Sequence, residues 1–413
     1  MAELQTSKKI ERKIVIVTCL GHGLCHTYAL ILASALLPIS ENLNLSLTSL
    51  TGLGTISYLL FGLGALPSGF FIMKTNAKLS LRIFFLSSAL ACIFTGLSGS
   101  VLFFAAGLAM IGIFGSLYHV AGLTLISQGV TERGKILGIH GIAGSIGIAM
   151  TPLVASVIIS LLGWRAVYLI MAVPGILGFL WLLFDRDIPR FHVEHPPHAA
   201  ASKNQGYGFV FFILAILAMG FNGFVYRGFL TIFPTYMTRQ VTITRIPAVL
   251  SGGIVSTAIL LFGMIGQYFG GTLSDRFRKI RFYLFILAAS LPLIVLIGFT
   301  RDAALIGVSI LFSIFYFATQ PVENHIISVI TPPGILGSVY GIKFVLTFGI
   351  GAFAAGFSGY VSDHYQMSSV FPMLGSVVLL CIVLVGALAL KDDRNRIRPG
   401  WSTIKMEERN RNE

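Results

Sequence analysis

Of the sixteen Asp and Glu residues in this chain, Glu323 is the one that lies well inside a long apolar run, while Asp275 and Asp363 stand at the ends of such runs. Tyr316, Gln320 and Glu323 are spaced four and three apart, so on a helix they share one face and set a carboxylate beside two hydrogen-bonding groups. Two cations sit in equally apolar surroundings, Arg227 and Lys343. A carboxylate opposite either one has three uses: it exchanges a proton, locks two segments as a static ion pair, or touches a solute. Arg227 and Lys343 together exceed Glu323 by one positive charge, which favours an anionic ligand. An Arg grips a carboxylate or phosphate with two parallel hydrogen bonds, and a Lys supplies a point charge. His22 and His26 are four apart on one helical face, His119 and His140 come from later runs, and Asn222 and Tyr226 add a second polar pair four apart. The histidines suit proton relay, contact with an anion, or plain hydrogen bonds to neighbouring helices. No metal centre is expected among them, because acidic ligands and ordered cysteine spacing are lacking.

The elements that must hold these groups are membrane helices. The chain is 55% hydrophobic and 11% charged over 413 residues, a composition that needs lipid as its solvent. At roughly 20 apolar residues per crossing, the runs predict twelve spans, near 14–37, 50–73, 82–98, 101–127, 134–162, 166–184, 209–237, 248–273, 282–299, 303–330, 335–361 and 368–390. Most of the 29 Lys and Arg residues fall in segments on one side of this layout, and only Arg165, Arg239, Arg245 and Arg301 fall on the other. By the positive-inside rule both termini are cytoplasmic, in an inner-membrane protein. The net charge of +13 is spread over these loops rather than gathered on one soluble face, so it reads as topology signal and lipid contact, not nucleic-acid binding. The first apolar run is too long for a cleaved signal and reads as the first span. Cys19, Cys25, Cys92 and Cys381 all lie in apolar stretches and indicate no disulfide framework.

The polar stretch 185–208, with Pro189, Pro196 and Pro197, divides the chain into residues 1–184 and 209–390, each carrying six spans, followed by a tail at 391–413. A shift of about 200 residues aligns Gly23 with Gly223, His22 with Asn222, and HGI at His140 with YGI at Tyr340. Repeats of this kind place a binding site between the halves near the membrane midplane. There is no P-loop, no G-x-S-x-G and no H-E-x-x-H, so neither an enzyme nor a cofactor is expected.

The segment GGTLSDRFRKIR, residues 270–281, resembles the loop signature of the major facilitator superfamily, with Gly271, Leu273, Ser274, Asp275 and Arg276 matching in order. The resemblance implies an all-α membrane protein of twelve helices in two pseudo-symmetric six-helix bundles. It implies a carrier that works by alternating access, acts as a monomer, and has a small-molecule substrate, protons and membrane lipids as its partners. It also implies that Asp275 and Arg276 help gate the cytoplasmic side, with Asp275 facing the start of the fifth span at Arg133 and Gly134. The equivalent first-half segment, GFFIMKTNAK at 69–78, has Met73 where the aspartate would stand. CLGHGLCHTY at 19–28 and GIFGSLYHVAG at 112–122 are similar to the fosmidomycin-resistance type of exporter, with His26 in place of its aspartate. This similarity tilts the direction toward efflux, with uptake by symport, a metal-chelate or drug carrier, and a transport-dead receptor or assembly subunit as rivals.

Overall fold

The computed structural model describes residues 2–191, 209–331 and 336–397. Pro196, Pro197 and Lys203 of the linker, and the tail beyond residue 397, lie outside the described residues. The described chain is helical throughout: α1 (Ala2–Ser34), α2 (Leu36–Leu43), α3 (Leu47–Lys74), α4 (Ala77–Gly96), α5 (Val101–Gly129), α6 (Arg133–Leu162), α7 (Trp164–Phe184), α8 (Phe209–Gln240), α9 (Ala248–Arg276), α10 (Lys279–Ile297), α11 (Asp302–Phe317), α12 (Thr319–Ile330), α13 (Leu336–His364) and α14 (Val370–Ile397).

Twelve segments among the described residues are long and apolar enough to cross a membrane. They coincide with the twelve predicted runs and differ at their ends, where polar caps rather than hydropathy set the boundary. Ser46, Asn76 and Ser100 accept the backbone N–H of Ser49, Leu79 and Phe103 and so start α3, α4 and α5. The tenth span is broken rather than continuous: Pro321 has no N–H and its ring opposes the carbonyl four residues back, so α11 stops at Phe317 and α12 starts at Thr319. Gly163, with φ of 82°, makes the one-residue corner between α6 and α7. Large apolar side chains such as Leu102, Phe184 and Phe299 stay exposed around the outside, as a lipid-facing surface requires.

An even number of spans returns the start of α1 and the end of α14 to one side, called here the terminal end; the opposite side is the far end. The 200-residue repeat is visible in packing. A side chain on Gly147 would collide with the Gly23 carbonyl at 2.4 Å, and one on Gly223 would meet the Thr347 carbonyl at 2.6 Å, so α1 on α6 and α8 on α13 make the same close crossing. The terminal end repeats too. Buried Lys78, near the start of the third span, donates to the Asp185 and Ile188 carbonyls and lies 3.6 Å from the Asp185 carboxylate. Arg278 pairs with Asp392 at 3.2 Å in the second half. Each half thus clasps its third span to the chain at the end of its sixth.

The two halves meet mainly through α3 against α13 and α6 against α9. Asp363 of α13 caps α3 at the far end, accepting the N–H of Thr48 at 2.6 Å, its hydroxyl at 2.7 Å and the N–H of Leu47 at 3.3 Å. A carboxylate at a helix N-terminus meets unpaired N–H groups and the positive end of the dipole. Below it, the Gly356 N–H donates to Thr55, the Leu153 N–H donates to Thr257, and Ser145 donates to Gln267 at about mid-depth. The halves are therefore sealed from the far end to the middle.

Candidate functional site

The second-half cluster is built on the broken tenth span. Glu323, on the second turn of α12 and 3% exposed, is surrounded by donors. Lys343 of α13 reaches its Oε2 at 3.1 Å, and Asn222 of α8 and the Tyr283 hydroxyl of α10 each donate to its Oε1 at 2.7 Å. Tyr316 is buried near the end of α11, its hydroxyl 2.6 Å from the Asn222 side-chain oxygen and 2.7 Å from that residue's carbonyl. Lys343 also donates to Asn324 at 2.7 Å. The partner of Glu323 is thus Lys343 and not Arg227. Four helices share one neutral, fully hydrogen-bonded ion pair.

Gln320 stands apart from that pair. It accepts from Gln267 at 3.4 Å, and Gln267 in turn accepts from Ser145 of the first half at 2.6 Å. Tyr226 packs its ring on Phe317, with centroids 5.5 Å apart.

Arg227 occupies a different environment. It is 8% exposed, and its guanidinium lies 3.9 Å from the centre of the Tyr58 ring, which belongs to α3 of the other half. Among the described residues it has no carboxylate partner. The interior holds Lys343 neutralised by Glu323 and Arg227 balanced only by an aromatic face, so one positive charge is left over between the halves. A cation on an aromatic ring gains about 0.5–2 kcal/mol, much less than desolvating it costs. An anion entering here would find a planar fork of donors without a competing carboxylate.

The histidines gather on the first-half side of the same interface. His22 and His140 stack with centroids 4.0 Å apart, and His26 and His119 lie 4.9 Å and 5.3 Å from His22. His22 fits because Gly144 has no side chain: a Cβ there would stand 2.5 Å from its ring. Tyr118 donates its hydroxyl proton to the Thr18 carbonyl, leaving its oxygen to accept from His140 Nε2 at 2.8 Å. His119 faces α13, with Phe344 and Phe348 each 6.2 Å away, and Phe61 of α3 lies 5.8 Å off. Phe61 and Tyr58 are three apart on α3, so Arg227 and the histidines share one face of that helix about a turn apart.

The terminal end departs from expectation. Among the described residues no ion pair joins Asp275 to Arg133; both are exposed, as is Arg276. Asp275 instead lies 3.6 Å from His325 of its own half, and Ser274 hydrogen-bonds the same ring at 2.8 Å. The reason is geometric, because the contacts between halves run from the far end to mid-depth and leave the terminal end without this pairing.

Tyr58, Tyr283 and Asp363 were not among the predicted functional residues. The two tyrosines sit in apolar runs, and a polar ring inside such a run is the only sign the sequence gives of them. Asp363 was visible as a carboxylate at a run's end, without its partner.

The sequence profile of the Major Facilitator Superfamily matches residues 18–356 and 249–405. The chain belongs to that family. It is a multi-pass membrane transporter of the secondary type and not an enzyme. It is 25% identical over 394 residues to a probable L-galactonate transporter of Escherichia coli (strain K12), covering 87% of this chain and 83% of that one. It is 24% identical over 336 residues to a nitrite extrusion protein of Bacillus subtilis (strain 168), covering 75% and 82%. Its fold is that of a bacterial homologue of the human lysosomal transporter Spinster in an inward-facing, occupied conformation, with TM-score 0.80, 14% identity, and 94% and 99% of the two chains covered. It is also that of a D-xylose-proton symporter, with TM-score 0.72, 18% identity, and 90% and 96% covered.

Proposed function

We propose that this protein carries a small organic anion across the inner membrane by alternating access, driven by protons, with both termini in the cytoplasm. The observation that carries the reading is Arg227, a buried guanidinium at the junction of the halves with no carboxylate among the described residues to neutralise it. The probable L-galactonate transporter and the nitrite extrusion protein are both named for anions, which supports the same solute class. The sealed far end then faces outward, and the conformation described here is inward-facing. One chain suffices, since each half contributes a wall of the site.

Glu323 is the proposed proton carrier. Withdrawal of Lys343 as the halves rock would leave a desolvated carboxylate, for which taking up a proton is the least costly state. The saturated hydrogen bonding of Glu323 favours a second reading, a static latch joining α8, α10, α12 and α13.

Thermal-shift screening of the purified chain against organic anions, organic cations and neutral sugars tests the solute class. An anion should stabilise the wild type and Arg239→Ala, and its effect should vanish in Arg227→Ala. A stabilising cation, or an anion equally effective on Arg227→Ala, refutes the reading. In proteoliposomes, Glu323→Gln should abolish proton-driven accumulation and spare solute exchange, whereas the latch predicts loss of both together.

A further inference from the structure

We propose that His22, His26 and His119 form a binding site for one divalent transition-metal ion of the zinc type, with the ion's fourth position open toward the junction of the halves. One ring nitrogen from each of the three lies within 4.8 Å of the other two. Tetrahedral coordination at 2.0–2.1 Å places neighbouring nitrogens about 3.3 Å apart. The His22 and His26 Nε2 atoms already stand 3.1 Å apart. Closing the site means turning the rings so that the third nitrogen comes from within 4.8 Å to about that spacing and all three lone pairs face one point.

Hydrogen bonding prepares the same atoms. His22 Nδ1 lies 2.7 Å from the His140 carbonyl, which can only accept, so Nδ1 carries the proton and Nε2 presents its lone pair to the cluster. A ligand imidazole held through its other nitrogen by a carbonyl is the usual outer-shell arrangement of a metal site. His119 Nε2 is buried without a hydrogen-bond partner among the described residues, an expensive state for a polar atom in a membrane interior. His26 Nε2 spends its proton on His22 and can shift it to Nδ1 when a metal arrives. Phe61, Phe344 and Phe348 close the remaining side of His119 with apolar rings.

Charge decides what completes the site. Three neutral imidazoles bring no negative charge, and Arg227 stands about one turn of α3 away, so an ion of charge +2 would be uncompensated. Charge balance then favours an anionic oxygen over water as the fourth ligand. On the reading of an anionic solute, on which this step alone rests, that oxygen belongs to the solute, held between the metal and Arg227.

The test uses the full chain, purified without a histidine tag and titrated with Co2+ while the visible absorption of four-coordinate cobalt is followed. The wild type should bind one Co2+ per chain with strong visible bands, and Zn2+ should displace it. His119→Gln and His26→Gln should each weaken binding by at least about 10-fold, the lower end of what even outer-shell losses cost. His364→Gln, at an exposed position outside the cluster, should bind as the wild type does. Absence of a saturable visible band in the wild type overturns the site whether or not the variants fold, and so does wild-type affinity in His119→Gln. The anion reading fails separately: Co2+ bound at the histidines with no organic anion stabilising the protein keeps the metal site and removes the anionic solute.

Discussion

The two polar clusters lie on opposite sides of one interface and solve the problem of polarity in a membrane in opposite ways. In the second half, one carboxylate and one ammonium neutralise each other and every oxygen of Glu323 has a donor. In the first half, four imidazole rings pack face-on or edge-on against one another, and one of them keeps a nitrogen without a partner among the described residues. Arg227 stands between the two with the Tyr58 ring beneath it and no carboxylate partner among the described residues. A saturated cluster holds structure, and its members are costly to change singly. An unsaturated one has capacity left for a ligand.

The largest expected effect breaks the saturated side. Lys343→Met should destabilise the protein by about 3–5 kcal/mol, because it leaves the Glu323 charge buried and unpaired. The double substitution Glu323→Gln with Lys343→Met should recover most of that loss in denaturant unfolding. Losses that simply add would show that the two groups are not coupled. Next comes Asp363→Asn, which removes a charged acceptor from the N-terminus of α3 and should cost the far-end seal about 1.5–3 kcal/mol. Cysteine labelling at far-end positions should accelerate, and an unchanged rate would mean that the α3–α13 packing holds the seal without Asp363. Smaller still, Tyr58→Leu should weaken the seating of Arg227 by about 0.5–2 kcal/mol. The predicted signature is altered anion-dependent stabilisation with little change in unliganded stability.

The smallest effect is one that acid removes. Burial pushes the Asp185 carboxyl up, but the Ile188 N–H and the Lys13 ammonium outweigh it and hold the group below its ordinary value. A depressed folded value means that the stabilisation is fully present above the ordinary carboxylate range and is lost as pH falls through the folded value. The stability gap between wild type and Asp185→Asn should therefore be constant near neutrality and close in acid. A gap that widens in acid would reverse the sign of the argument.

Much of the architecture was legible because hydropathy and charge act along the chain. Apolar runs long enough to span and the 200-residue alignment at Gly23 and Gly223 required no knowledge of contacts. The candidate site was legible in part. Rarity inside an apolar run pointed to Glu323, Arg227, Lys343 and the histidines, since a polar group there is too expensive to keep without use or partner. Rarity could not say which cation Glu323 would meet. It also passed over Tyr58 and Tyr283, whose rings fit a lipid-soluble run and whose hydroxyls matter only through their neighbours.

By itself the sequence determined that this chain spans a membrane with twelve helices and which few charged groups lie inside. Only the tertiary structure decided that Lys343 neutralises Glu323, that Arg227 is left over, that His119 joins His22 and His26 across about a hundred residues of chain, and that Asp363 rather than Asp275 joins the halves. The physical reason is range. Hydropathy is summed over neighbours in the chain, whereas ion pairs and coordination act over a few ångströms between side chains that only folding brings together.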